Sequence, residues 1–306
     1  MSHIPVMAEE AMHWLAVRPD GIYVDGTAGA GGHSALIAAQ LKDGLLLALD
    51  RDPAAVAMAS ERLAPFPQAR VRRANYADLA APLAELGRGL ADGILIDAGC
   101  SSMQIDDAAR GFSFQEDGPL DMRMSPDTGE SAAERLRRLP AGEIETLLRT
   151  YGDVGPAGRI AASIKEFART GRLETTKDLV KAVQAALPFI SKVPDEVRTV
   201  FQAVRIAVND ELGALHNGIA AAIDCLNPGG RLVVIAFHSG EDRVVKQAMR
   251  AASRRVRTLA PDGRVQSVAP PRLTILTPGP VAADAGECLR NPRAKSAKLR
   301  AAEKLR

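Results

Sequence analysis

The chain has 306 residues, 46% of them hydrophobic, with 39 Lys and Arg against 37 Asp and Glu and a net charge of +2. Such a composition suits a globular protein with a sizeable core, long enough for two domains or for one with a large insertion. No apolar run reaches membrane-spanning length, the first residues do not read as a signal peptide, and Cys100, Cys225 and Cys288 are too far apart for a zinc site or a disulfide framework; a cytoplasmic protein with no membrane partner is expected.

The apolar run Ile22-Tyr23-Val24 ends in Asp25 and opens into a loop containing Gly26, Gly29, Gly31 and Gly32. From Ser34 the apolar spacing turns helical through Leu36, Ile37, Ala38 and Leu41. Strand, glycine loop and helix together let a backbone approach a nucleotide-like ligand closely. A second strand, Leu45–Leu49, ends in Asp50, roughly 20 residues past the glycines, where a carboxylate accepts hydrogen bonds from ribose hydroxyls. The dinucleotide fingerprint G-x-G-x-x-G needs a third small residue, but counting from Gly29 that position holds Ser34. Asp25 would also repel a pyrophosphate and attract an ammonium. S-adenosylmethionine, with an ammonium, a sulfonium and no phosphate, therefore fits better than a dinucleotide; a dehydrogenase is the competing reading.

Further along, the pattern predicts a helix near Pro53–Leu63, a strand near Arg70–Ala74, a helix around Leu79–Leu86 and a fourth strand at Gly93–Asp97. A fifth, Arg231–Phe237, follows the turn Asn227-Pro228-Gly229-Gly230. Near-continuous apolar strands alternating with helices define an α/β fold, a Rossmann-like parallel sheet covered on both faces. The stretch between the fourth and fifth strands is too long for an ordinary connection and reads as helices at Ala132–Leu139, Glu143–Thr150, Arg159–Arg169, Lys177–Ala186 and Val197–Ala207, a helical insertion domain. The expected division is residues 1–107 with 208–306 for the sheet domain and 108–207 for the insertion. Asp210–Leu226 reads as the helix that returns to the sheet. The tail concentrates Arg290, Arg293, Lys295, Lys298, Arg300, Lys304 and Arg306 against Glu303.

Ligands in such sheets bind beyond the carboxyl ends of the strands, at the switch in strand order. The glycine loop, Asp50, Asn75-Tyr76, the polar loop Asp97–Gln104 and the cluster Phe237-His238-Ser239-Gly240-Glu241 all fall there. Asn75-Tyr76 offers an amide and an aromatic face to an adenine. Arg110–Phe114 and Asp117–Met124, dense in turn residues, charges and aromatics, read as functional loops of the insertion.

Asp25-Gly26-Thr27 with Gly31–Ser34, Asp50–Pro53, Asp92–Asp97, Ser101–Asp107, Arg110–Phe114, Asp117–Met124, Phe201–Ile206, Asn209–Leu212, Phe237–Ser239 and Asn291-Pro292-Arg293 closely resemble the MraW family of bacterial 16S rRNA methyltransferases. The likeness runs in order from His3-Ile4-Pro5-Val6 to the tail. It implies methylation of N4 of a cytidine in the decoding centre, S-adenosylmethionine as donor, and 16S rRNA or the small subunit as partner, with a homodimer left open. It places the donor on Gly31, Gly32, His33, Asp50, Tyr76, Asp97 and Gln104. The chain departs from the family's usual residues at Val193–Arg198, at Gly152-Asp153-Val154, at Ala98-Gly99-Cys100 and at Gly240.

Amine methylation needs the nitrogen held in line and its proton accepted. Asp97 and His238 are the expected acceptors, with Ser239 in support. Phe112 or Phe114 is expected to stack the extruded base, and Arg110, Arg123, Arg198, Arg205 and the basic tail to hold RNA phosphates. Two other readings compete: carbon methylation with Cys100 as nucleophile, and a non-catalytic RNA-binding assembly factor with a vestigial donor pocket.

Overall fold

A computed structural model of the chain describes residues 5–187, 194–259 and 264–306. His3, Ile4 and Val193 of the motifs above lie outside the described residues. The chain divides into two compact units, Met1–Gly99 with Leu212–Arg306, and Cys100–Glu211. The boundaries expected at 107/108 and 207/208 both fall inside the second unit.

In the first unit the chain runs α1 (Ala8–Leu15), β1 (Ile22–Asp25), α2 (Gly32–Ala38), β2 (Leu45–Asp50), α3 (Pro53–Leu63), β3 (Ala69–Arg73), α4 (Ala80–Glu85) and β4 (Ala91–Asp97). The second unit holds α5 (Ser102–Asp106), α6 (Ala132–Arg138), α7 (Ala141–Gly152), α8 (Ala157–Arg169), α9 (Thr176–Ala186) and α10 (Glu196–Asn209). After it come α11 (Glu211–Cys225), β5 (Leu226–Ala236), α12 (Ser239–Ala252), β6 (Val256–Leu259), β7 (Val265–Ala269), β8 (Leu273–Ile275), β9 (Val281–Ala282), α13 (Ala285–Arg290) and β10 (Lys298–Lys304).

The main sheet has the order β3-β2-β1-β4-β5-β10-β8, with β9 also paired to β10. Strands β1 to β5 run parallel, and β10 is antiparallel to β5, β8 and β9. Alternate side chains of one strand feed two separate cores. Leu47 and Leu49 of β2 join Val24, Ile94 and Ile96 on one face, while Leu46 and Ala48 join Tyr23, Leu95 and Val233 on the other. That two-sided burial is why these strands read as continuous apolar runs. Strand order reverses between β1 and β4, so the crevice that binds ligands in such sheets opens beyond Asp25 and Asp97.

Two expectations need correction. Strand β5 begins at Leu226 rather than Arg231: Asn227–Gly230 forms an irregularity, with Ala91 opposite Leu226 and Gly93 opposite Arg231. The tail is not a solvated basic arm. Lys298–Lys304 is an interior strand whose Leu299, Ala301 and Ala302 are fully buried. Its Arg300 is 8% exposed and pairs through both nitrogens with Asp242, at 2.7 and 3.2 Å.

The second unit is a helical bundle built on amphipathic stripes. Ile160, Ala161, Ile164 and Ala168 of α8 and Val197, Val200, Phe201 and Val204 of α10 recur at helical spacing and share one core. Capping boxes at Ser131 with Glu134 and at Thr175 with Asp178 start α6 and α9.

Candidate active site

The glycine loop is shaped by carboxylates as much as by glycines. Gly29 and Gly31 take positive φ, +51° and +77°, which admits the tight turn into α2. The Gly29 amide donates to Asp50 Oδ2 at 2.8 Å, and the Asp52 amide to Asp50 Oδ1 at 2.9 Å. Asp25 is fully buried and accepts from Ser34 Oγ at 2.6 Å and from the Thr27 amide at 3.1 Å. Ser34, which breaks the dinucleotide pattern, is thus the partner of the carboxylate that a dinucleotide site would lack. Thr27 Oγ1 accepts from the Asp97 amide at 2.7 Å and ties the ends of β1 and β4 together.

Three carboxylates therefore stand at the switch point with few compensating charges. Burial raises the Asp25 carboxyl above its usual range, against the pull of His33 and Ser34. Burial pushes Asp50 up to about 6, although the Asp52 and Gly29 amides favour its ionised form. Asp97 is also raised to about 6, by burial first and then by Asp25 and Glu241, with His33 and Arg293 working the other way. Asp97 Oδ1 is buried and has no hydrogen-bond partner among the described residues. A buried carboxylate oxygen left without a donor is costly, and its presence signals a missing positive or proton-bearing partner.

His33 is buried, and its Nε2 lies 2.9 Å from the Val6 carbonyl. A carbonyl only accepts, so Nε2 carries the proton and Nδ1 turns toward Asp97 Oδ2, 3.8 Å away. Gly31 and Gly32 sit at the head of α2; a side chain on Gly32 would press on Pro5 at 3.1 Å.

Tyr76 sits in a short 3-10 turn, Tyr76–Asp78, ordered by Asn75 Oδ1 accepting from the Ala77 amide at 3.0 Å. The Asn75 carbonyl oxygen expected beside an adenine is spent on this cap. The Tyr76 ring lies so close to α11 that a Cβ on Gly218 would fall 2.3 Å from it.

The expected base His238 is the N-cap of α12. Its Nδ1 accepts from the Glu241 amide at 3.4 Å, and its Nε2 lies 3.2 Å from Glu241 Oε1. Glu241, 1% exposed, accepts in return from the Phe237 amide at 2.7 Å. His238 is held as a cap, and Ser239 is an exposed residue in the first turn of that helix. The sequence assigns Thr27 no role of its own, and Glu241 is expected only as part of the polar cluster after β5, although His238-x-x-Glu241 has the spacing of a capping box.

In the second unit, Gln104 is buried and closes a capping box with Ser101. Three of the expected RNA-binding cations there, Arg110, Arg123 and Arg205, have partners inside their own unit, because fixing loops needs the same donors that phosphates would, while Arg198 is exposed on α10. Arg110 donates to the Arg123 carbonyl at 2.9 Å, and Arg123 grips Asp121 at 2.6 and 2.8 Å. Arg205 grips Glu211 at 2.8 and 2.9 Å and donates to Cys100 Sγ at 2.9 Å. Phe114 packs edge-on to Phe201 at 5.4 Å, and Phe112 is 8% exposed, so neither ring is a bare stacking platform. Asn209, which the sequence marks only as part of a family motif, staples the Asp117–Met124 loop to α10. It accepts from the Met124 amide at 2.8 Å and donates to the Met122 carbonyl at 2.7 Å. Met122 is thereby held at φ +60°.

Parallel strands β1 to β5, with an acidic, glycine-lined loop where their order reverses, form the Rossmann-like sheet of a methyltransferase fold. The chain belongs to the MraW methylase family, whose sequence profile matches residues 1–305. It is 46% identical over 310 residues to the ribosomal RNA small subunit methyltransferase H of Heliobacterium modesticaldum, covering 99% of each chain. Proteins of the same name from Pelobacter propionicus and Geobacter sulfurreducens are 45% and 46% identical over 314 and 309 residues, with 99% of this chain covered and 98% and 99% of theirs.

Proposed function

We propose that the chain methylates RNA of the small ribosomal subunit with S-adenosylmethionine as donor, the acceptor being N4 of a cytidine in the 16S decoding centre. The observation that carries this reading is the unpartnered, buried Oδ1 of Asp97 within a group of carboxylates that burial holds above their usual pKa. Such a site disfavours a pyrophosphate and favours a ligand bearing an ammonium and a sulfonium. The donor, when bound, supplies a methyl group made electrophilic by the sulfonium.

The chain's own residues supply orientation and a proton acceptor. Asp50 accepts ribose hydroxyls with the lone pairs that Gly29 and Asp52 leave, Tyr76 flanks the adenine, and the loop of Gly31 and Gly32 gives close backbone approach. Asp97 Oδ1 accepts a hydrogen bond from the acceptor amine and takes its proton as the nitrogen gains a new bond. With a pKa of about 6, Asp97 is ionised near neutral pH and more basic than an ordinary carboxylate. His33 fixes the other oxygen's surroundings, and Glu241 with His238 fixes the start of α12. Gln104 is proposed for the donor, and Phe112, Phe114, Arg110, Arg123 and Arg205 for shaping the RNA-binding loops; their internal bonds favour a positioning part. A 16S rRNA substrate puts the reaction in the cytoplasm. The reading admits a homodimer, which light scattering separates from a monomer.

Methyl incorporation into small-subunit particles, followed by mass mapping of the modified nucleotide, tests the activity. Asp50→Ala should weaken donor binding by about 1.5–3 kcal/mol, the scale of hydrogen bonds to a charged group. Asp97→Asn should lower kcat by roughly 100-fold or more. Cys100→Ser should keep most of it. A folded but inactive Cys100→Ser protein, or a covalent adduct on fluorinated cytosine, would replace nitrogen methylation with carbon methylation.

A further inference from the structure

Positions 243–272 hold eight of the chain's 39 Lys and Arg and only one of its 37 Asp and Glu, Asp262. With a net charge of +2 overall, the rest of the chain is net acidic, so this segment is a local concentration of charge. Its first part is α12, where Arg243, Lys246 and Arg250 recur at helical spacing and continue into Arg254 just beyond the helix. The helix's own carboxylates are spent elsewhere: Glu241 on the Phe237 and His238 amides, Asp242 on Arg300. Of the stripe, Lys246 also acts on Asp242, while Arg243, Arg250 and Arg254 are exposed.

The second part is a two-stranded antiparallel ribbon, β6 with β7, that forms a sheet of its own. Arg254, Arg255 and Arg257 are exposed, as is every residue of β7. Val256, Val265 and Val268 are 55%, 52% and 51% exposed, so the ribbon shows apolar as well as cationic side chains to solvent. An isolated ribbon is marginally stable in water, and this one is anchored at its base. The Arg272 amide donates to the Ala252 carbonyl at 2.7 Å, and the Arg272 side chain pairs with Asp224. Exposed arginines interleaved with valines on a projecting ribbon suit a polyanion that also presents flat apolar surfaces.

We propose that the outer face of α12 and the β6–β7 ribbon form a track for the RNA backbone, with the ribbon as an arm that grips the substrate RNA away from the methylated base. The proposal rests on the RNA substrate of the preceding section. The geometry favours this partner because α12 begins at His238, directly after β5, at the edge where Asp97 lies opposite Ile235. From there the helix carries the cations about 21 Å, its 14 residues rising ~1.5 Å each. An RNA strand whose base reaches the Asp97 edge thus meets an unbroken line of guanidinium and ammonium groups. Phosphate contacts of this kind set position and affinity, while the pocket reads the base.

The test compares the full-length protein with Arg255→Glu/Arg257→Glu and with a charge-matched control on β3, Arg70→Glu/Arg72→Glu. Binding to small-subunit particles is measured across a salt series, and donor affinity by calorimetry. The ribbon variant should bind RNA about tenfold or more weakly, with a salt slope shallower by roughly 0.7–0.9 per lost phosphate contact. Its donor affinity should be unchanged, and the control should behave as the parent. Four results would overturn the proposal: an unchanged salt slope in the ribbon variant, equal loss in the control, loss of donor binding, or ribbon-dependent binding to anionic vesicles but not RNA. A parent protein that binds no RNA would instead remove the proposed function itself.

Discussion

At the scale of single residues, the site is governed by carboxylates whose ionisation the fold opposes. Asp97 is the clearest case, with a pKa raised to about 6 by burial and by Asp25 and Glu241. A carboxyl raised in the folded state binds its proton more tightly there than in the unfolded chain. Its contribution to stability is therefore full below about pH 4 and lost as pH climbs through about 6. Asp97→Asn removes the charge without removing the shape, so the variant should melt at a higher temperature than the parent above pH 6. The two curves should converge below about pH 4. Thermal midpoints taken from pH 4 to 8 decide the point, and a variant less stable at pH 7.5 would show that Asp97 is compensated by a partner. Activity should move oppositely to stability, rising with pH through about 6 as the acceptor ionises. His33 lowers the Asp97 pKa through its charge. His33→Gln keeps a donor for the Val6 carbonyl but no ring nitrogen facing Asp97, so the acid limb of the pH–rate profile should shift to higher pH.

At the scale of elements, how much of the molecule is legible in the sequence depends on how each element is buried. Strands β1, β2, β4 and β5 are covered on both faces, so they appear as apolar runs ending in Asp25, Asp50 and Asp97, or leading to His238. The helices of the second unit show their stripes for the same reason. Strand β10 hides because Lys298 and Arg300 interrupt its buried Leu299, Ala301 and Ala302, and charge masks the apolar pattern. Strands β8 and β9 are too short to show a period, and β7 faces solvent along its whole length. Of the site, the loop, Asp50 and Asp97 are legible as strand-end signals. The approach of His33 to Asp97, across 64 positions, is set by the pairing of β1 with β4 and has no local signature. Gly218 belongs to the same class of hidden feature: nothing around it in α11 announces that Tyr76 leans on it. Gly218→Ala puts a methyl 2.3 Å from the ring, so Tyr76 or α11 must shift, at a cost of about 1–3 kcal/mol. Gly142→Ala in α7 meets open space and should gain up to about 1 kcal/mol. Denaturant midpoints of the two variants should move in opposite directions, and donor affinity should fall only for Gly218→Ala.

At the scale of the whole molecule, the carboxyl-terminal segment joins two properties that its sequence presents as one. Its positive charge suggests a detachable RNA-binding arm, yet its backbone completes the sheet. Lys298–Lys304 pairs with β5 on one side and with β8 and β9 on the other, and Thr277 Oγ1 accepts from the Ala301 amide at 3.0 Å. Just before it, Asn291 caps the turn Pro292–Ser296, which carries Arg293 where its charge lowers the Asp97 pKa. The tail thus both closes the fold and acts on the proton acceptor. Removing Arg293–Arg306 would expose the edge of β5, strand β8 would lose its partner, and Asp242 would be left without Arg300. Stripping one partner from a largely buried ion pair alone costs about 3–5 kcal/mol, a large share of the 5–15 kcal/mol of a typical domain. The truncated chain should therefore lose cooperative unfolding and donor binding together. Arg293→Gln in the full-length protein should instead keep the fold and raise the acid limb of the pH–rate profile. Circular dichroism melts and donor calorimetry on both proteins separate these outcomes. A truncated chain that melts cooperatively and binds donor at parental affinity would return the tail to the solvent, leaving β5 as a tolerated edge.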